Sequence, residues 1–265
     1  MVGMQKASVA HHTPWSWALS GVLAGTLVAL LVFAPARWLA SVVNQRSLGH
    51  VVLDEPQGSV WSGSAWVTLT GGAGSQDAAR LPSRLAWQLG LNSGGVQLHL
   101  TAACCMQQAW VWQISPHWGG VRLSVSDTPS AWSASLLTGL GTPFNTLALQ
   151  GQLKLETHDL SLDWSAGRLQ IAGQAQLQAQ DLASRLSTLS PMGSYRLKLV
   201  GGAVTALQLE TLSGPLQLTG SGQWVGGKLQ FNGEATSAGE YQAALGNLLN
   251  IIGRRNGARS VIKLG

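Results

Sequence analysis

Charge is scarce in this chain. Of its 265 residues only 10% are Asp, Glu, Lys or Arg, against roughly 25% in an ordinary globular domain. The sixteen Lys and Arg exceed the eleven Asp and Glu by five, but they are scattered, with no basic run and no basic face interleaved with aromatics. A phosphate-binding surface needs clustered charge, so nucleic acid is excluded as a partner. Cysteine is scarcer still. Its two copies, Cys104 and Cys105, are adjacent, which rules out a disulfide framework and any Cys-x-x-Cys metal site. Neighbours in a strand point to opposite faces, so the expectation is two small buried residues on a strand. A vicinal redox pair is the alternative.

The groupings that carry catalysis are also missing. There is no Gly-x-Ser-x-Gly elbow, no His-Glu-x-x-His, no phosphate-binding glycine loop and no dinucleotide fingerprint. His158-Asp159 reads as a polar pair at a turn. His11-His12 lies in the N-terminal tail without further ligands, and His50, His99 and His117 stand alone. Acidic residues are equally dispersed, so no nucleophile, base or metal set can be assembled. The expectation is a protein without catalytic, cofactor-binding or metal-binding residues, and not an enzyme.

One absence of charge is local. Between Thr13 and Ala36 no side chain is ionisable, and Ala, Leu, Val, Gly and Trp dominate. About twenty such residues at 1.5 Å rise match the ~30 Å hydrocarbon core of a bilayer. Trp15, Trp17 and Trp38 bracket the run as indoles do at a membrane interface. Lys6 on one flank and Arg37 and Arg46 on the other leave the positive-inside count undecided; the short tail favours an N-in, C-out anchor. A cleaved signal peptide is the rival, with Ala34-Pro35-Ala36 as small residues at a cleavage site. Pro35 inside that site, the long apolar core and the thin basic flank count against it.

What fills the rest is alternation. Leu147, Leu149, Leu153 and Leu155 fall on one face, with Gln150, Gln152, Lys154 and Glu156 on the other. Leu169, Ile171, Ala175 and Leu177 repeat this against glutamines, and Tyr195, Leu197 and Leu199, then Leu216, Leu218 and Trp224, continue it. A period of two with one apolar face describes antiparallel strands covered on one side. Gly-rich turns separate them, among them Gly71-Gly72-Ala73-Gly74-Ser75, Asn92-Ser93-Gly94-Gly95, Gly119-Gly120 and Gly201-Gly202. Ala40 to Gly49 reads as a short amphipathic continuation of the apolar segment, ended by Asp54-Glu55-Pro56-Gln57-Gly58. Ala244, Leu245, Leu248, Leu249 and Ile252 have helical spacing, with Gly253 as the stop. Two blocks of strands, each with a short exit, suggest a weak internal duplication. With no long helix between strands, a parallel α/β sheet is excluded. The fold expected is mainly β: a single transmembrane helix, then an antiparallel β-sheet domain, an open curved sheet with short helices. The nine tryptophans after the apolar run sit in strand-like contexts, where an aromatic is more often core than platform. A surface this poor in charge is hard to keep soluble alone and fits a partner or a covered groove.

Particular residues carry a resemblance. Gly58-Ser59-Val60-Trp61-Ser62-Gly63-Ser64-Ala65 resembles the opening of the type II secretion system protein N family. Leu81-Pro82-Ser83-Arg84-Leu85-Ala86-Trp87 is similar to its next strand. So are Leu189-Ser190-Pro191-Met192-Gly193-Ser194-Tyr195, the stretch Thr211 to Trp224, and Leu248-Leu249-Asn250-Ile251-Ile252-Gly253-Arg254-Arg255. No single motif is specific; their order and spacing are. Residues Ala102 to Trp132 match nothing in that pattern.

The resemblance implies a single-pass inner-membrane protein of Gram-negative bacteria with its C-terminal domain in the periplasm. It implies a non-catalytic component of the machine that exports folded proteins from periplasm across the outer membrane. Its partners would be other type II secretion proteins (inner-membrane platform, pseudopilins or secretin) and membrane lipid, with no cofactor. The expected division is a cytoplasmic tail (1–14), a transmembrane signal anchor (15–38), a linker (39–57) and a periplasmic β-rich domain (58–265) with halves 58–145 and 146–265. The alternating leucines also resemble the AsmA-like group, which keeps open a membrane-anchored periplasmic lipid-binding or lipid-transfer module.

Overall fold

The structure, a computed structural model, describes residues 15–225 and 227–265. The tail 1–14, with Lys6 and His11-His12, lies outside the described residues. Helix α1 (Trp15–Val32) is 18 residues long and uncharged, a length of about 27 Å. Among the described residues no helix is long and apolar enough to cross a membrane. The span 15–38 is not one helix. Proline lacks an N–H and disfavours helical backbone in the residue before it. Accordingly Pro35 takes an extended conformation and separates α1 from α2 (Ala36–Arg46). The continuation expected from Ala40 is therefore an independent helix that starts four residues earlier. Its Ala36 and Leu39 pack on Leu53, Ala65, Trp87 and Leu100.

The stretch 39–57, expected as a linker, holds most of α2 and strand β1 (Val51–Gly58). The regularity does break where Asp54-Glu55-Pro56-Gln57 suggested, as a bulge: pairing shifts between Asp54 and Gln57, and Glu55 takes φ +47°. Pro56 is tolerated because β1 is an edge strand. There follow β2 (Ser62–Thr70), β3 (Ala78–Arg80), β4 (Leu85–Asn92), β5 (Gly95–Ala102), β6 (Trp110–His117), β7 (Gly120–Val125) and β8 (Ser130–Ser133). A 3₁₀ segment (Ala134–Leu140) and a one-turn α3 (Phe144–Leu147) precede two 16-residue strands, β9 (Gln150–Ser165) and β10 (Arg168–Ala183). Then come β11 (Gly193–Val200), β12 (Ala206–Ser213), β13 (Leu216–Val225) and β14 (Lys228–Ser237). Helix α4 (Gln242–Ile252), β15 (Arg254–Asn256) and β16 (Arg259–Leu264) complete the chain.

All sixteen strands belong to one antiparallel sheet. The path is β1-β2-β4-β5-β6-β7-β9-β10-β11-β12-β13-β14-β16-β15, with β3 paired to β2 and β8 to β9. Its ends, β1 and β15, do not meet, so the sheet is open. The boundary drawn between 145 and 146 falls inside α3, and the ladder crosses from β7 to β9 without a break.

The period-two pattern puts apolar side chains on one face, which is covered only in places. In the C-terminal half Leu245, Leu248 and Leu249 of α4 meet Leu153, Tyr195, Leu216 and Ala235. Burial pushes the Tyr195 phenol above its ordinary 10, and its hydroxyl donates to the Leu216 carbonyl at 3.1 Å. The buried Phe231 ring lies against Gly220, Gly222 and Gly233, where any side chain would collide with it. In the N-terminal half α2 and the 3₁₀ segment each cover a smaller cluster.

Candidate functional site

The charged side chains of the described residues form small ion pairs on the sheet. Among the described residues no three His, Cys, Asp or Glu come together. His158-Asp159 is not at a turn but inside β9, at a bulge opposite Gly173, with Asp159 at φ +49° and its N–H donated to Asp127 Oδ1 at 2.9 Å. His117 does gain a partner: its Nε2 is 3.3 Å from Asp163 Oδ1, while Arg122 donates to Asp163 Oδ2 at 2.9 Å. Burial acts to raise the Asp163 carboxyl. The hydrogen bonds from Arg122 and Ser165 and the charges of His117 and Arg122 outweigh it and hold the group below its ordinary 3.8. The cluster bridges β7 and β9 on the polar face, as surface ion pairs do.

The cysteines are not two residues of one strand. They lie in the turn after β5 and form a disulfide with each other, the pairing weighed as the alternative. The turn allows what a strand forbids, because its backbone brings both sulfurs to one side. The Cys104 N–H donates to Ser83 Oγ at 3.0 Å, and buried Cys105 packs with Leu81, Ala102 and Leu136.

The most extended apolar surface the strands build is one face of the sheet itself. Cross-strand register places Leu91, Val96, Ile114, Leu123, Leu162 and Ile171 in one row over β4 to β10 without a polar interruption. A second row holds Leu89, Leu98, Trp112 and Val125. These rows are half-buried at best, since α2, α4 and the 3₁₀ segment lie elsewhere. Where the 3₁₀ segment crosses β2 to β4, an apolar cleft of about 240 Å³ opens between Val67, Leu69 and Leu85 on the sheet and Trp132, Leu136 and Leu137 opposite. The disulfide turn borders it, because Cys105 shares Leu81 and Leu136 with its walls.

On the polar face of the same strands Arg80 and Arg84 stand over the Trp66 ring, 4.4 and 5.7 Å from its centroid. Glu55 pairs with both, at 3.6 and 3.7 Å. Every charge in that group has a partner.

Most tryptophans after the apolar run are buried or half-buried, Trp87 completely. Sequence reasoning missed Trp118, beside Gly119-Gly120, and Trp164, which are exposed. The signal was an aromatic next to a glycine turn. It also missed the cleft, which depends on a segment folding back over strands about seventy residues earlier.

The described residues form one open β-sheet with unpaired edges and a partly bare apolar face. Residues 49–262 match the family described as Type II secretion system (T2SS), protein N, and the chain is a member of that family. It is a component of the type II secretion machinery of the cell envelope. No curated protein and no solved structure matches the chain.

Proposed function

We propose that the chain is a non-catalytic component of the type II secretion system, anchored in the inner membrane by α1. Its sheet stands in the periplasm and assists assembly or function of the machine that exports folded proteins across the outer membrane. Two features support the anchor. The uncharged run Thr13–Ala36 exceeds the described helix, and the side chains of α1 from Trp17 to Val32 are exposed, with nothing among the described residues covering them. The observation that carries the contact role is the two apolar rows, one over β4 to β10 and one over β4 to β7, which stay half-exposed beyond the α2 cluster that Leu98 joins. Both edges are poorer docking sites. β1 is bulged and carries Pro56, while β15 has three residues, two of them arginine. The apolar face is therefore the surface for platform proteins, pseudopilins or secretin.

A photo-crosslinking residue at Ile114, compared with one at Gln113 on the opposite face, tests this in cells. Adducts with secretion components from 114 and not 113 are expected, together with cargo retained in the periplasm when the chain is deleted. Unchanged secretion on deletion overturns the reading.

The apolar cleft favours a second reading, a membrane-anchored lipid-binding or lipid-transfer module. At about 240 Å³ it is smaller than the ~300–1,000 Å³ of a drug-sized site, so it would take part of an acyl chain rather than a whole phospholipid. Stoichiometric lipid in native mass spectra, lost in Leu136→Trp, would put this reading first.

A further inference from the structure

On the side where α1 leaves, the hairpin turns combine polar residues such as Asn92, His117 and Arg168 with exposed apolar neighbours. The Trp61 indole donates to the Leu31 carbonyl at 2.8 Å, and the Val60 N–H donates to the Ala34 carbonyl at 2.8 Å, tying the end of α1 to the β1–β2 turn. The Leu89 N–H donates to the Trp61 carbonyl, so the same end of β4 lies beside that turn. Register carries the end onward. Asn92 pairs with Gly95, His117 with Gly120, and Ser165 with Arg168. Gly120 in turn pairs with Ser165, joining the second and third of these tips. At about 4.8 Å per strand, the β4–β5, β6–β7 and β9–β10 tips follow the anchor exit at intervals of about 10 Å.

Each tip carries an exposed apolar residue. Leu91 is 74% exposed, Trp118 fully exposed, and Trp164 and Leu169 are 58% and 48% exposed. Val121 pairs with Trp164 and Pro116 with Val121, joining the β6–β7 and β9–β10 tips, while Leu91 reaches β6 through Val96 and Ile114. A soluble surface scatters such residues singly; a contiguous patch marks a contact. The charge beside it is net basic, with Arg122 and Arg168 against Asp163. Arg168 makes no ion pair among the described residues, and Asp163 is already held by Arg122 and His117.

We infer that this rim is a membrane-contact surface, whose partner is the anionic lipid bilayer that α1 enters. Indole rings and aliphatic tips with a free arginine suit the headgroup boundary, where an amphipathic surface sinks about 5–10 Å. The neighbouring α1, an apolar helix ending at the same rim, argues for lipid over protein. Contact at three tips would hold the sheet upright on the membrane with its apolar face to one side. The choice of lipid as partner rests on the anchor reading; the exposed tip patch itself does not.

The test uses the full-length protein in vesicles of phosphatidylcholine and phosphatidylglycerol. No free cysteine occurs among the described residues, so one introduced cysteine gives one labelled site. An environment-sensitive fluorophore is placed in turn at Trp118→Cys, at Leu212→Cys on the far end of β12, and at Ala24→Cys in α1. Lipids spin-labelled at shallow and deep positions then quench it. Trp118 is fully exposed, so its replacement leaves the fold intact. Position 118 is expected to lose about half its emission to the shallow quencher, with a blue shift, and position 212 to lose none. Quenching at 24 without 118 overturns the rim and leaves the anchor standing. Quenching at 118 without 24 supports the rim and removes the anchor. Quenching at neither site, or equally at 118 and 212, overturns the inference.

Discussion

The indole N–H of Trp61 is donated to the carbonyl of Leu31, joining the turn between the first two strands to the last full turn of α1. With the bond from Val60 to Ala34 it sets the direction in which the helix leaves the sheet. Such a bond is worth about 0.5–1.5 kcal/mol net. Trp61→Phe keeps the ring and removes the donor. Its unfolding midpoint should barely move, because the sheet's core lies elsewhere. Protease cleavage within 33–35, which tracks local opening, should quicken about 2- to 12-fold in detergent. An unchanged cleavage rate would mean that α1 is held by other contacts.

Phe231 tests whether the glycines of β13 are spacers for its ring. A Cβ on Gly220 would collide with Phe231 Cζ before any other atom. Gly220→Val should therefore cost about 1–3 kcal/mol in denaturant unfolding, as overpacking does. Phe231→Ala alone should cost about 3–5 kcal/mol. Because valine would occupy space the ring leaves, the double variant should cost less than the sum of the two. Additive losses would show that the glycines serve another purpose.

Much of the fold was legible because strand alternation is a local signal that burial enforces. Leu153 and Leu155 face the core side of β9, and Leu245, Leu248 and Leu249 form the buried stripe of α4, as their spacing required. What failed involved backbone changes with no such periodicity. Asp54-Glu55-Pro56-Gln57 has loop composition but forms a bulge within a paired edge strand. His158-Asp159 looks like a turn and is a bulge opposite Gly173. The cleft and the tip patch were illegible for a different reason. Each is made by residues far apart in the chain, brought together by register and by a crossing segment.

The cysteine pair separates the bordering turn from the cleft wall. Alkylation of the unreduced protein should add no label, and alkylation after reduction should add two. A loop this short removes little chain entropy, and Cys104 is exposed, so Cys104→Ser should be nearly neutral. Cys105 is 7% exposed among Leu81, Ala102 and Leu136. A serine hydroxyl there would lack a partner, and Cys105→Ser should cost about 1–3 kcal/mol. Equal effects of the two serines would show that the bond, and not the packing of one sulfur, is what stabilises the turn.

Asp163 gives the acid limb of stability a sign. Its folded value lies below the ordinary 3.8, through Arg122, Ser165 and His117. A group depressed on folding contributes stability that is complete above its unfolded value and fades as pH falls through the folded one. The loss therefore falls below pH ~4, and the solvent-exposed Arg122 partner keeps it small. Asp163→Asn should be slightly less stable than the parent at pH 7, and the difference should vanish in acid below the folded value. In Arg122→Gln the carboxyl loses both its donor and a neighbouring charge. Its titration midpoint, followed by the NMR shift of the Asp163 side-chain carbon, should then move back up toward the ordinary value. A midpoint that stays depressed without Arg122 would assign the effect to Ser165 and His117, and the pair between β7 and β9 would carry no pH-dependent stability.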